Sequence, residues 1–389
     1  MTRARKVMLV ANGCMGLYLF RRDLMHALCD AGYEVVCAAG EDRFAASLRA
    51  EERIRFHALP LSPHGTNLFG EARALRALRQ LYRRERPDIV FHYTLKPILY
   101  GSLAARRAGV PHVGVVTGLG AFVEHANPLV RWVARRGYAH VTQHSQAMWF
   151  LNDSDREYFA DRGWLARTEG MMLPGEGVDI EHYGYAEPNR GRPLRALFAG
   201  RLLGAKGLRH FAAASRVLRR EGVDVEFAVL GFPEVHNPDA VPLSEVRAWE
   251  REGLLTYFGE TTDVRPYLRE ADIVVLPTMY REGLSRVLLE AMATGRPILT
   301  THGVGTGQLV DQGRNGYLVA RGSVEGLVDR LREFAALSDD ERTAMGRVGR
   351  ELVERNYAQR YVNERYLRYL DSMFSPASRS EATTAHATG

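Results

Sequence analysis

No run of about 18 uninterrupted apolar residues occurs in this chain, so no membrane-spanning helix is expected. The start, MTRARKVMLVANG, has too short an apolar part for a secretory signal and flows into a strand pattern. Cysteine is scarce. Cys14, Cys29 and Cys37 show no CxxC spacing, which speaks against both a disulfide framework and a zinc site. The thirteen histidines are scattered along the chain, so no metal centre is expected. No recognised nucleic-acid-binding motif accompanies the net charge of +6 and the isoelectric point near 9.2. That basic excess fits phosphate-bearing ligands or an anionic membrane surface better than nucleic acid. The cytoplasm is the default compartment.

What is present is an ordinary globular composition, 46% hydrophobic and 25% charged, over a length of 389 residues that suits two domains. Strand and helix patterns alternate. KVMLVAN (6–12), YEVVCAAG (33–40), DIVFHYT (88–94), HVGVVTG (112–118) and AMWFLN (147–152) read as strands, with helices at 17–31, 70–85 and 98–109 between them. The stretch 173–193 is rich in Gly, Pro and Asn and reads as a linker. The alternation then restarts with strands at 194–200, 225–231, 254–259, 272–277 and 297–301 and helices at 207–221 and 263–270. The expected class is α/β, with two Rossmann-like doubly wound domains facing a cleft. The boundaries read as 1–185 for an acceptor-binding domain and 186–356 for a nucleotide-sugar-binding one. An aromatic helix at 357–374 crosses back to the first domain, and 375–389 is a disordered tail.

The most informative stretch is REGLSRVLLEAMATG (281–295), in which Glu282 and Glu290 stand with seven residues between them. The first lies in a glycine-containing turn after the strand DIVVLP, the second inside an apolar helix that Gly295 can end. Ligands of open α/β sheets bind outside the carboxyl ends of strands, where helix N-termini offer free N–H groups. One carboxylate then meets the ligand at the strand tip, and the other takes paired hydroxyls.

Other strand tips add polar groups. AGRLLGAKG (199–207) sets Arg201 and Lys206 five apart in a loop with three glycines, a partner set for a diphosphate. NGCMG (12–16) puts Gly13 and Gly16 in a turn where a ligand approaches backbone, though it is not a full G-x-G-x-x-G. FHYTLKPILYG (91–101) brings His92, Thr94 and Lys96 to a strand end, and TGLGAFVEH (117–125) brings Thr117 and Gly118 to the next one. Those two tips suggest an acceptor pocket. Asp153 and Asp155 read as N-caps or first-turn charges, not as metal ligands.

With these motifs, residues 6–374 resemble a retaining glycosyltransferase of the GT-B fold, family 4. The subset that extends undecaprenyl-diphosphate-linked oligosaccharides with sugars such as N-acetylgalactosamine is the most similar, through HYTLKPILYGSLAARRAGV, VVTGLG and EGLSRVLLEAMATGRPI. The resemblance implies transfer of a hexose or N-acetylhexosamine from a UDP-sugar to a lipid-diphosphate-linked saccharide, without a metal or other cofactor. It implies that Arg201 and Lys206 hold the donor diphosphate, that Glu282 lies against the transferred sugar, and that Glu290 binds the ribose. Gly283, Leu284 and Ser285 would approach sugar and phosphates through their backbone, with Gly13 and Gly16 near the reaction centre. Two departures stand out. Many relatives have a histidine near Thr117 or Gly118, and a Gly-Cys-Arg-Glu run where this chain has Gly305-Thr306-Gly307-Gln308. A ribose-binding Glu290 would not face the anomeric carbon, which removes a glycosidase pair. A nucleotide-sugar epimerase of the same fold and a non-catalytic nucleotide-binding module are the alternatives.

A peripheral position on the inner face of the cell membrane is expected from cations set beside apolar residues. They are Arg21-Arg22, then Arg73, Arg76, Arg79, Arg83 and Arg84, and LVRWVARRGYAHV at 129–141 with Trp132, Val133 and Tyr138 beside Arg131, Arg135 and Arg136.

Overall fold

The computed structural model describes residues 3–61, 68–119, 128–190, 192–234 and 237–375. Seven strands, β1 (Lys6–Gly13), β2 (Glu34–Gly40), β3 (Ile54–Leu59), β4 (Ile89–Tyr93), β5 (His112–Val116), β6 (Ala147–Phe150) and β7 (Glu169–Met172), form one sheet in the order β3-β2-β1-β4-β5-β6-β7. Six more, β8 (Leu194–Ala199), β9 (Val225–Leu230), β10 (Thr256–Tyr257), β11 (Ile273–Leu276), β12 (Ile298–Thr301) and β13 (Gly316–Val319), form a second in the order β10-β9-β8-β11-β12-β13. All pairings between these strands are parallel. These are two Rossmann-like units, as the alternation predicts. In each sheet the order reverses once, between β1 and β4 and between β8 and β11, and the crevice above such a reversal is where α/β proteins bind ligands.

The central strands are largely apolar because helices cover both faces: β4 and β11 are buried at every residue, His92 of β4 included, and β1 at all but its last two. The strands missing from the sequence reading are β3, β7 and β13, and each is a sheet edge. An edge is half covered, so β3 carries Arg55 and His57 and shows no continuous apolar run. The first helix starts at Cys14, directly off the strand with Gly13 as its N-cap, and not at residue 17.

The chain crosses between domains twice, side by side. Val178 in the linker pairs with Ala358: Val178 N donates to Tyr357 O at 3.0 Å and Gln359 N donates to Val178 O at 2.8 Å. The last described helix, Gln359–Phe374, then lies on the first sheet. Tyr366 packs 4.9 Å from Phe91 and 4.6 Å from Trp149, and its hydroxyl meets that of Tyr93 at 2.8 Å. Each such aromatic pair contributes about 0.5–1.5 kcal/mol beyond simple burial. One apolar cluster runs from this face through Leu173 and Val178 to Leu284 and the second sheet. The tail from 376 onward lies outside the described residues. Among the described residues no helix is long and apolar enough to cross a membrane.

Candidate functional site

Two loops of the second domain meet at its reversal point. The loop after β8 is anchored by the buried Leu202 and Leu203 and closes with a short turn, Gly204–Lys206. Gly207 follows with φ +83, and a Cβ there would lie 2.0 Å from Pro277 O. Only glycine lets this loop approach the end of β11 so closely. Lys206 is thereby set beside the second loop, where its Nζ forms a short ion pair with Glu282 Oε1. The Thr278 hydroxyl donates to the same oxygen at 3.3 Å. Arg201 takes a different partner, Glu234, at 2.9 Å. The two cations of the loop thus stand at one strand tip, each paired with a carboxylate.

Glu290 lies one helical turn deeper, in the helix Arg286–Ala293, and is 8% exposed. Arg286 Nε donates to it at 3.0 Å, and Tyr183 of the linker hydrogen-bonds it as well. Burial pushes this carboxyl above the usual range, against the pull of Arg286. Tyr183 reaches the site because Arg350 donates to the carbonyls of Ile180, Tyr183 and Ala293, tying linker to helix end. Arg286 also faces the first domain, 5.5 Å from the ring of Phe20. Its Nη1 is buried without a partner among the described residues. Sequence reading missed Arg286 and Tyr183; the arginine is four residues before Glu290, one turn of helix, and that spacing could have revealed it.

The backbone between the two glutamates has other duties than expected. Ser285 N, expected to face phosphate, donates to Gly305 O at 3.1 Å. The Leu284 side chain is buried, and a Cβ on Gly175 would lie 2.3 Å from it. Gly305 has φ +76, and a Cβ there would meet Glu282 O and Gly283 O at 2.5 and 2.6 Å. The glycine that replaces nothing in the departing Gly-Thr-Gly-Gln run is therefore a packing necessity.

In the first domain, Gly13 and Gly16 sit at the tip of β1. The Asp42 carboxylate accepts from Met15 N at 2.8 Å, and a Cβ on Gly13 would strike it at 2.8 Å. This helix start already has an acid from the protein. Gly16 O accepts from Arg21 Nη1 at 2.6 Å. Arg21, expected among the membrane-facing cations, is instead 3% exposed, lies 3.9 Å above the ring of Tyr93 and forms a short ion pair with Glu176 of the linker. The glycine turn is thus braced from the hinge.

His92 requires a correction. It was expected in the acceptor pocket, but its side chain is fully buried on the opposite face of β4. Its Nε2 lies 2.8 Å from the Tyr82 hydroxyl, and a Cβ on Gly101 would overlap its ring at 2.4 Å. Burial, with His112 nearby, drives its pKa well below the usual value and keeps it neutral. Strand alternation sends a residue one short of the tip to the helix layer. Lys96 is at the tip and pairs with Glu71 at 2.7 Å. Thr94 has a left-handed backbone, φ +69, which is costly for a β-branched residue, and its buried hydroxyl has no partner among the described residues.

Thr117 and Gly118 are where the domains touch. A Cβ on Gly118, φ +129, would lie 2.8 Å from Gly283 N, and one on Gly283 would lie 1.9 Å from Thr117 O. Residues 120–125 of the same motif lie outside the described residues. Next to this contact Asp153 and Asp155 are first-turn acids of the helix Asp153–Ala160, as one of their two readings has it, while the N-cap is Asn152, whose side chain accepts from Asp155 N. Asp155 is fully buried and accepts from Arg281 of the second domain at 3.2 Å.

Comparison with known proteins agrees with this division. Residues 16–174 match the Glycosyl transferase 4-like domain and residues 193–336 match Glycosyl transferases group 1. The colanic acid biosynthesis protein WcaL of Salmonella typhimurium is 27% identical over 54% of this chain, and the match spans only 55% of WcaL. An N,N'-diacetylbacillosaminyl-diphospho-undecaprenol alpha-1,3-N-acetylgalactosaminyltransferase of Campylobacter jejuni is 23% identical over 91% of this chain and 95% of its own. Among solved structures, Anabaena Alr3699/HepE in complex with UDP-glucose superposes with a TM-score of 0.76 at 17% identity, covering 94% of this chain and 99% of its own. The chain has the GT-B fold, and its two domains match, in order, a glycosyl transferase 4-like domain and a glycosyl transferase group 1 domain.

Proposed function

We propose that the protein is a retaining glycosyltransferase of polysaccharide or glycan assembly. It moves a hexose or N-acetylhexosamine from a UDP-sugar to a saccharide carried on a lipid diphosphate such as undecaprenyl diphosphate. The observation that carries this reading is the Lys206–Glu282 pair at the reversal point of the second sheet, directly beside the contact with the first domain. HepE, of like fold, binds UDP-glucose, and the Campylobacter relative is named for a lipid-linked acceptor.

In this reading Arg201 and Lys206 exchange their carboxylate partners for donor phosphate oxygens. They stabilise the charge that develops as the nucleotide diphosphate leaves. Glu290 takes ribose hydroxyls, and Glu282 lies against the sugar. The departing phosphate takes the acceptor proton, so no metal and no protein base is needed. The first domain offers the acceptor the tips of β1, β4 and β5. Its outer surface meets the cytoplasmic leaflet through the helix Pro128–Thr142, on which Trp132 and Val133 are 57% and 53% exposed beside the exposed Arg135 and Arg136. Tyr138 of the same helix is not part of that surface, because it is buried against Phe159.

Incubation with a panel of nucleotide sugars and lipid-linked acceptors, followed by mass spectrometry and assignment of the anomeric configuration, tests the reading. Retained configuration in a UDP-dependent product is expected. An inverted product would remove the retaining mechanism. Epimerised or hydrolysed donor without acceptor, or UDP binding without any turnover, would overturn the transferase.

A further inference from the structure

Asp155 was read from the sequence as a helix charge, yet its side chain is fully buried and reaches outside its own domain. Its Oδ2 accepts from Leu119 N at 3.2 Å and from Asn152 Nδ2 at 2.9 Å. Its Oδ1 accepts from Arg281 Nη2 at 3.2 Å. Asn152 Nδ2 also donates to Gly283 O at 2.9 Å, while Asn152 Oδ1 caps the helix through Asp155 N at 2.8 Å. Two adjoining side chains of the first domain therefore hold the residues on both sides of Glu282, one by a charge and one by a carbonyl. A carboxylate with no exposure is costly unless every lone pair is used, and here the second domain supplies part of what it needs.

We infer that Asn152 and Asp155 are positioning residues for the reaction: they set the Arg281–Gly283 loop, and with it Glu282, against the first domain. The inference rests on the glycosyltransferase reading for its effect on turnover, but the grip on the loop does not. Because Glu290, Arg201 and Lys206 lie outside this network, loss of the grip lowers turnover and leaves nucleotide affinity near that of the parent. Asn152→Ser separates cap from grip, since serine caps a helix about as well as asparagine but is too short to reach Gly283 O.

The experiment compares Asn152→Ser, Arg281→Gln and, as a control, Asp153→Ala, whose side chain is 72% exposed and pairs with Arg156 at 3.7 Å. Amide exchange over residues 281–285 reads the loop without any need for turnover. Faster exchange is expected in Asn152→Ser and Arg281→Gln, and parent-like exchange in Asp153→Ala. Turnover should fall at least about fivefold in Asn152→Ser, which loses the neutral bond to Gly283 O together with the one to the Asp155 carboxylate. It should fall roughly 10²-fold in Arg281→Gln, which leaves a buried carboxylate unpaired. UDP affinity by calorimetry should stay close to the parent's in both, and the double variant should lose less than the two singles combined. Parent-like exchange in Asn152→Ser, or faster exchange with unchanged turnover, would overturn the inference. A parent that turns over no donor would instead overturn the glycosyltransferase reading, with the exchange arm still deciding whether the grip exists.

Discussion

Gly283→Ala is the most direct probe of how the two domains meet. The added Cβ would stand 1.9 Å from Thr117 O and 2.6 Å from Thr117 C, both backbone atoms of the other domain. No side chain can swing aside to make room. Real Cβ contacts stay above 3.0 Å, so the loop and the tip of β5 must part by about 1 Å or more. Gly283 is not among the left-handed glycines, so alanine suits its backbone and each domain should fold as before. What changes is the approach of Glu282 to the first domain, together with the 2.9 Å bond from Asn152 to Gly283 O. A misplacement of about 1 Å commonly costs about 10²-fold in rate, or about 2.7 kcal/mol of barrier. Steady-state transfer assays should show that fall, while the thermal midpoint and UDP affinity stay near the parent's. Turnover within about threefold of the parent, a change of only about 0.6 kcal/mol, would refute the steric reasoning.

Glu290→Gln should weaken UDP binding in calorimetry, because a carboxylate accepts hydroxyls more strongly than an amide does; unchanged affinity would remove Glu290 from the nucleotide site. Arg201→Ala and Lys206→Ala should each slow transfer by roughly 10²-fold while added chelator leaves the parent active, and near-parent rates in both variants would make them surface cations. Binding to anionic vesicles should weaken at least about 30-fold in Arg135→Glu plus Arg136→Glu, since each cation near such a surface contributes about 1 kcal/mol; a flotation assay with no binding at low salt would remove the membrane surface. Burial lowers the pKa of His112 from 6.5 to about 4, so the unfolded chain takes up a proton that the fold refuses. That stability is present above about pH 6.5 and is lost as the pH falls toward 4, roughly 3 kcal/mol in all, which urea midpoints can follow. An equal slope in His112→Leu would assign the pH dependence to other groups.

What could be read in advance divides along physical lines. Central strands such as β4 and β11 announce themselves because burial on both faces makes their sequences nearly continuous apolar runs. The edges β3, β7 and β13 do not, because half-covered strands tolerate charge. Lys206 and Glu282 were legible because each lies in a glycine-marked loop directly after a strand. His92 was misjudged because it still lies inside β4, whose two faces are both covered, so its side chain is a core one. Arg281 with Asp155 and Tyr183 with Glu290 had no local signature at all. Their partners lie more than a hundred residues away, and only the meeting of two domains brings them together.

The helix Gln359–Phe374 has a further consequence for how the molecule is made. Phe91 and Trp149 sit in sheet strands of the first domain, yet the Tyr366 that covers them is synthesised only after the entire second domain. At about 5–20 residues per second, the face they share stays bare for roughly 10–40 s while the entire second domain is synthesised and folds. The order of completion is therefore inverted: the second domain can finish first, and the first domain waits for the helix Gln359–Phe374. Nascent chains stalled before residue 359 should present an apolar surface to chaperones, and loss of the final helix should damage the domain farthest from it in sequence.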